Sequence, residues 1–223
     1  MSEAELASRF ISGLVLAAGG STRMGRPKQL LPLGETCLLQ RVIDQALESR
    51  LDEVVVVLGH RASEILEALK TPTASRVRFA VNDDHAEGLS TSLITGLRAL
   101  DPRTVAAAVI LGDQPGVGAT LIDRTIAAFL ASDRSVARPV YVSRGGGDPV
   151  KVPGHPVILA RGVWQQVESL RGDEGARVLL QSDPECLLEI AVETGPPEDI
   201  DTEQDYERVL ESLVPRGDSG GRG

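Results

Sequence analysis

Short apolar, β-branched runs alternate along this chain with longer stretches whose apolar residues recur three and four apart. Strands buried on both faces by crossover helices are written this way, so the pattern predicts an α/β protein with a mostly parallel sheet between two helical layers. The predicted strands are Gly13 to Ala18, Val54 to Leu58, Val77 to Val81, Ala106 to Leu111, Pro139 to Val142 and Cys186 to Val192. Helical faces are expected from Leu38, Leu39, Val42, Ile43, Ala46 and Leu47, from Ile65, Leu66 and Leu69, and from Leu93, Leu97 and Leu100. Three more follow: Ile122, Ile126, Phe129 and Leu130; Val163, Trp164, Val167 and Leu170; and Tyr206, Val209, Leu210 and Leu213. No repeat or linker divides the 223 residues, so a single domain over residues 12–213 is expected.

Charge excludes several functions. Lys plus Arg is 23 against 32 for Asp plus Glu, a net charge of −9 that repels nucleic acid and anionic lipid, so neither is expected as a partner. The opening MSEAELASRFISGLVLAAGG mixes acidic residues with an interrupted apolar run, unlike a signal peptide or membrane span, and predicts a cytoplasmic protein. Cys37 and Cys186 stand far apart without metal-ligand spacing, and read as core thiols. Arg144 to Pro156 holds four glycines and three prolines and is expected to be a long loop; residues 214–223 are expected to be a disordered tail.

The most informative stretch is LAAGGSTRMGRPKQL, which follows the first predicted strand. Gly19, Gly20 and Gly25 permit a tight turn whose N–H groups cradle an anion, and Ser21 and Thr22 add hydroxyl donors. No acidic residue occurs from Gly13 to Gly34, while Arg23, Arg26 and Lys28 fall within six positions. That reversal of the overall charge suits a triphosphate. A P-loop is excluded because Arg26-Pro27 follows Gly25 where Lys-Ser or Lys-Thr is required, and G-x-G-x-x-G is absent, which disfavours a dinucleotide oxidoreductase. Pro27 leaves Lys28 on an irregular segment able to fold back over phosphates.

These residues resemble the nucleotidyltransferases that load a nucleoside monophosphate from an NTP onto a phosphorylated acceptor, whose signature is L-A-[AG]-G-x-S-x-R-M-G-x-x-K. Leu16, Ala17, Ala18, Gly19, Ser21, Arg23, Met24, Gly25 and Lys28 match every fixed position. The subfamily resembled is the molybdenum cofactor (molybdopterin) nucleotidyltransferases, over about residues 12 to 213. The resemblance implies a Rossmann-like three-layer fold of the nucleotide-diphospho-sugar-transferase type. It also implies a nucleotide-binding half at about 12–115, an acceptor-binding half at about 116–213, and catalysis by Lys28, Arg23 and Asp113. Ala18 in the L-A-A-G form points to CTP, with GTP as the alternative.

Asp113, in Gly112-Asp113-Gln114-Pro115, ends a buried strand where ligands of open α/β sheets bind, and an oxygen ligand there suits Mg²⁺. The alternative is an Asp that only starts a turn. The resemblance makes Asp113 a metal ligand and, through D-I-D-T-x-x-D-Y, selects Asp201 over Asp199 as the second. Thr202 with Asp205 resembles a capping box, so Asp201 also has a purely structural reading at a helix start. The family's G-[LM]-x-x-S segment, which approaches the base, maps onto Gly88, Leu89 and Ser92, with Ser90 beside it; Ser90 alternatively reads as an N-cap. Asn82 is a further nucleotide candidate at a strand end, and His85 reads as a solvated loop residue. G-H-P-V and G-D-x-G-A-R segments imply acceptor binding by His155 and Asp173, with Gln114 beside them. Asp173 also reads as an N-cap. The implied partners are the nucleotide, a molybdopterin-type acceptor and a docked molybdenum enzyme. The competing expectations are another phosphorylated acceptor or a carrier that hands nucleotide or cofactor on without turnover.

Overall fold

A run of β-branched residues with no polar interruption buries both its faces at once, and the centre of this fold is built from such runs. The computed structural model describes residues 9–20, 26–70, 76–143, 150–175 and 184–213. Its strands are β1 (Ile11–Leu16), β2 (Pro32–Leu33), β3 (Thr36–Cys37), β4 (Glu53–Leu58), β5 (Val77–Val81), β6 (Ala106–Leu111), β7 (Val136–Ser143), β8 (Val150–Pro153), β9 (Val157–Ala160) and β10 (Leu187–Val192). The helices among the described residues are α1 (Leu38–Glu48), α2 (Ala62–Ala68), α3 (Leu89–Ala99), α4 (Ala119–Leu130), α5 (Trp164–Val167) and α6 (Glu203–Leu213). None is long and apolar enough to cross a membrane.

The main sheet runs β10-β7-β9-β6-β1-β4-β5, with β8 paired to β7; only β8 and β9 run against the common direction. Alternate residues feed two cores. Ile11, Val15, Val54 and Val56 pack with Val42, Ile43, Ile122 and Ile126 of α1 and α4, while Leu14, Leu16, Val55 and Val57 pack with Leu93 and Leu97 of α3. This is the expected three-layer α/β/α architecture. A smaller cluster joins Leu31, Leu33 and Leu38 to Ile200, Tyr206 and Val209, so α6 closes over the segment that follows the glycine turn.

Several local expectations shift. The stretch read as a loop from Arg144 to Pro156 contains β8, an edge strand exposed along its whole length, whose Gly and Pro neighbours hide its short Val-Lys-Val alternation. Residues 144–149 lie outside the described set. β9 was absent from the predicted strands because its four apolar residues carry no periodicity. β7 extends beyond Pro139 to Val136. The Pro139 carbonyl accepts from Gly154 N, so its missing donor faces the gap where β7 changes partner from β9 to β8. The helix expected around Val163 to Leu170 is a single α-turn after a 3-10 turn. Leu66, expected inward, is exposed. Cys37 and Cys186 are both half-buried thiols, packed against the two cores. The tail, residues 214–223, lies outside the described set.

At the N-terminal edge of the sheet, the buried Glu53 gathers strands β1, β4 and β5. Its carboxylate accepts from Ser12 Oγ at 2.7 Å, from Asp101 N at 2.7 Å and from Arg78 Nε at 3.2 Å. Burial alone would raise its pKa, but these donors outweigh burial and hold the carboxyl below its usual 4.5. The unfolded chain therefore takes up the proton first. The stability Glu53 contributes is present above about pH 4.5 and is lost as pH falls through its lower folded value. Glu53→Gln is expected to lower urea-unfolding stability at pH 7 by about 2 kcal/mol and to flatten its decline on acidification. An unchanged acid limb overturns this account.

Candidate active site

Loops leaving the C-terminal ends of parallel strands gather along one edge of the sheet, where ligands of open α/β folds bind. In sheet order, that edge carries Gly112-Asp113-Gln114 after β6, Ala17 to Gly20 after β1, Gly59-His60 after β4 and Asn82 to Gly88 after β5. β9 is antiparallel to β6 with Val157 opposite Val109, so His155, just before it, reaches the same edge beside Asp113.

Lys28 opens a 3-10 turn behind Pro27, and its Nζ donates to Asp113 Oδ2 at 2.6 Å and to Asp201 Oδ1 at 3.0 Å. Burial would lower the ammonium pKa, but the two carboxylates outweigh it and raise the value, keeping Lys28 charged. Three contacts carry Asp201 to this point across the chain. Ile200 is buried among Leu31, Leu33 and Leu38, its N–H donates to the Asp113 carbonyl at 3.2 Å, and the Tyr206 hydroxyl donates to the Pro32 carbonyl. Thr202 and Asp205 form the expected capping box: Asp205 N donates to Thr202 Oγ1 at 3.2 Å and Thr202 N to Asp205 Oδ2 at 2.7 Å. Asp205 thus does the capping, and the Asp201 carboxylate turns to Lys28. Asp199 accepts from the Gln114 side chain instead, and burial, with Asp113 and Asp201 nearby, raises its pKa.

Three buried polar atoms here have no hydrogen-bond partner: Asp113 Oδ1, Gln114 Oε1 and His155 Nδ1. Orphaned buried acceptors are costly unless a ligand or ion completes them. Burial lowers the His155 pKa to about 4 against the pull of Asp113, so its imidazole is neutral at pH 7. Among the described residues no group of three or more His, Cys, Asp or Glu forms a metal cage, so a cation here would rest on the Asp113 and Asp201 carboxylates and on its substrate.

Beside this cluster opens a cleft of about 280 Å³ lined by Leu16 to Gly19, Lys28, His85, Gly88, Leu89, Ser92, Asp113 and Asp173. Two of these residues belong to different sequence expectations, since Asp173 comes from the later half and His85 was read as solvated. Ser21, Arg23, Met24 and Gly25 lie outside the described residues, and Gly20 is exposed at their border. Asn82 and Ser92 bond to each other, Nδ2 to Oγ at 3.0 Å, and Asn82 Nδ2 also donates to Thr91 Oγ1 at 2.9 Å. Ser90 is not an N-cap: α3 starts at Leu89 after Gly88 in a left-handed conformation (φ 115°), and Ser90 is buried within the helix. Residues 174 and 175 are not helical, so Asp173 is not an N-cap, and it meets the start of α3 instead, with Leu89 N pointing to its Oδ1 at 3.4 Å and Ser90 N donating to the Gly172 carbonyl at 3.0 Å. The two backbones touch so closely that a Cβ on Gly88 would lie 2.3 Å from the Gly172 carbonyl carbon.

Sequence reasoning missed two residues. Gln29 is buried, and its Nε2 donates to the carbonyls of Ala17 at 2.9 Å and Gly19 at 3.0 Å, pinning the glycine turn from below. A lone amide in the apolar run after Lys28 was its only signal. His85 is half-buried over Gly59, where a Cβ would lie 2.6 Å from its own, and meets His60 edge to face at 5.9 Å.

The family described as the MobA-like NTP transferase domain matches residues 13–187. The Bacillus subtilis purine catabolism protein PucB is 32% identical over 214 residues, covering 92% of this chain and 98% of its own. Nicotine blue oxidoreductase of Paenarthrobacter nicotinovorans is 31% identical over 210 residues, covering 90% and 96%. The molybdenum cofactor cytidylyltransferase of Escherichia coli is 28% identical over 155 residues, covering 68% and 70%. A Mycobacterium tuberculosis protein solved in complex with manganese superposes with a TM-score of 0.73 at 32% identity, covering 91% and 98%.

Gln29→Leu removes both donors and leaves two carbonyls of the turn short of partners. It is expected to destabilise the fold by about 2 kcal/mol, seen as a Tm lower by roughly 4–8 °C. An unchanged Tm would show that the turn does not depend on this amide.

Proposed function

The chain belongs to the MobA-like NTP transferase family and is a nucleotidyltransferase, and from that premise we propose that it transfers CMP from CTP to the terminal phosphate of molybdenum-loaded molybdopterin, releasing pyrophosphate in a Mg²⁺-dependent reaction. The observation that carries the reading is the Lys28 ammonium held between Asp113 and Asp201 beside the glycine turn. The fully matched signature around Ala18 supports CTP, and the similarity to the cytidylyltransferase supports the acceptor class.

In the proposed reaction an oxygen of the acceptor phosphate forms a bond to the α-phosphorus as the bond from that phosphorus to the β-bridging oxygen breaks. The electron pair leaves with pyrophosphate. An ionised phosphate needs no strong base, so the residues work by placing and neutralising charge. Lys28 donates toward the transferred phosphate, the Gly19 turn and Arg23 take the β and γ groups, and Gln29 holds the turn in shape. The orphaned Asp113 Oδ1 and the nearby Asp201 fit a hard divalent cation, Mg²⁺ in this reading, which would neutralise phosphate charge. A neutral His155 and the free Gln114 oxygen suit hydrogen bonds to the acceptor.

The extended similarity to a protein named an oxidoreductase favours a second reading, hydride transfer, against which stands the missing dinucleotide fingerprint. The test is pyrophosphate release with Mg²⁺ and molybdopterin, with CTP and GTP in parallel and NADPH oxidation with a quinonoid dye as the other arm. Release with CTP is expected. Lys28→Ala and Asp113→Ala are each expected to lower kcat by roughly 10²-fold or more. Near-normal turnover in either variant overturns the mechanism, and dye-dependent NADPH oxidation without pyrophosphate release moves the assignment to hydride transfer.

A further inference from the structure

The cleft has two chemically distinct ends. Lys28 and Asp113 mark one, over β1 and β6. The loop after β5 lies three strand positions from β6, roughly 14 Å away at about 4.8 Å per strand. No Lys or Arg of that end lines the cleft, Asp173 does, and Asp83, Asp84 and Glu87 are exposed on the loop after β5, so the charge there disfavours a triphosphate. What lines that end is the Ala18 methyl, Leu89 and the ring of His85, the only ring on the cleft wall among the described residues. The ring is fixed by its seat on Gly59 and by His60. Asp173 is fixed by the contact of Gly172 with Gly88, and its 3.4 Å approach to Leu89 N leaves carboxylate acceptor capacity unused.

Resting on the nucleotidyltransferase reading, we propose that His85 and Asp173 form the base-reading end of the cleft. His85 stacks on the ring face, and Asp173 accepts a hydrogen bond from an exocyclic amino group. A carboxylate only accepts, so it favours the amino edge of cytosine or guanine, repels the oxo group that replaces it in uracil, and finds no donor on the bare C2 edge of hypoxanthine. Asp173 is thereby a specificity residue for the nucleotide and not a ligand of the acceptor.

The test is calorimetric measurement of Kd for CTP, UTP, GTP and ITP with Mg²⁺, on the full chain and on Asp173→Asn, His85→Ala, His85→Phe and Lys28→Ala. The wild-type protein is expected to bind CTP over UTP, and GTP over ITP, by roughly tenfold or more. Asp173→Asn keeps an acceptor for Leu89 N, and both ratios are expected to fall to about one or invert while UTP binds no more weakly. His85→Ala is expected to weaken all four nucleotides by roughly tenfold, with recovery in His85→Phe. Unchanged ratios in Asp173→Asn, equal weakening of all four by that variant, or unchanged affinities in His85→Ala overturn the assignment. If Lys28→Ala still weakens every nucleotide in that event, the nucleotidyltransferase reading stands; if no nucleotide binds at all, both fall.

Discussion

Three aspartates from two distant segments, Asp113, Asp199 and Asp201, converge on one strand end, and the fold tolerates this because Lys28 sits among them. Two like charges 4 Å apart repel by about 4 kcal/mol at an effective dielectric of 20, comparable to a large part of a domain's net stability. The ammonium at 2.6 and 3.0 Å from two of the carboxylates turns that repulsion into attraction. The third is relieved by Gln114 and by its own raised pKa. In the proposed reaction this ammonium would meet the phosphates entering the cleft, and its two carboxylate partners would hold the divalent cation.

The sheet separates stability from chemistry. Its N-terminal edge is tied by Glu53, whose donors come from the chain itself and leave no vacancy. The C-terminal edge carries the orphaned atoms of Asp113, Gln114 and His155. The Glu53 carboxylate at one edge is satisfied internally, while three buried polar atoms at the other have no partner within the chain, so one parallel sheet combines a tied base with a rim open to a ligand.

What was legible in the sequence is what depends on neighbours along the chain. The valine run of β4, the helical stripe of α1, the Thr202–Asp205 box and the position of Asp113 at a strand end all follow from local pattern. What was not legible depends on strand order. His85 reads as solvated until β5 is placed at the sheet edge next to β4, and Asp173 reads as the cap of a following helix until its turn is seen against α3. β8 escaped because its Val-Lys-Val alternation is short and set among Gly and Pro. Gln29 escaped because an amide under a turn looks like any polar residue in an apolar run.

The closure of α6 over Leu31, Leu33 and Leu38 has a consequence for the order in which this protein comes into being. Asp113 leaves the ribosome 88 residues before Asp201, since 201 − 113 = 88. At roughly 5–20 residues per second that is a delay on the order of 4–18 s. During it, the nascent chain has its glycine turn and Lys28 but neither the second carboxylate nor the cover of Ile200 and Tyr206. Until then the growing polypeptide exposes an apolar patch and an incomplete charge cluster together, and the segment from Ile200 to Val209 finishes both at once.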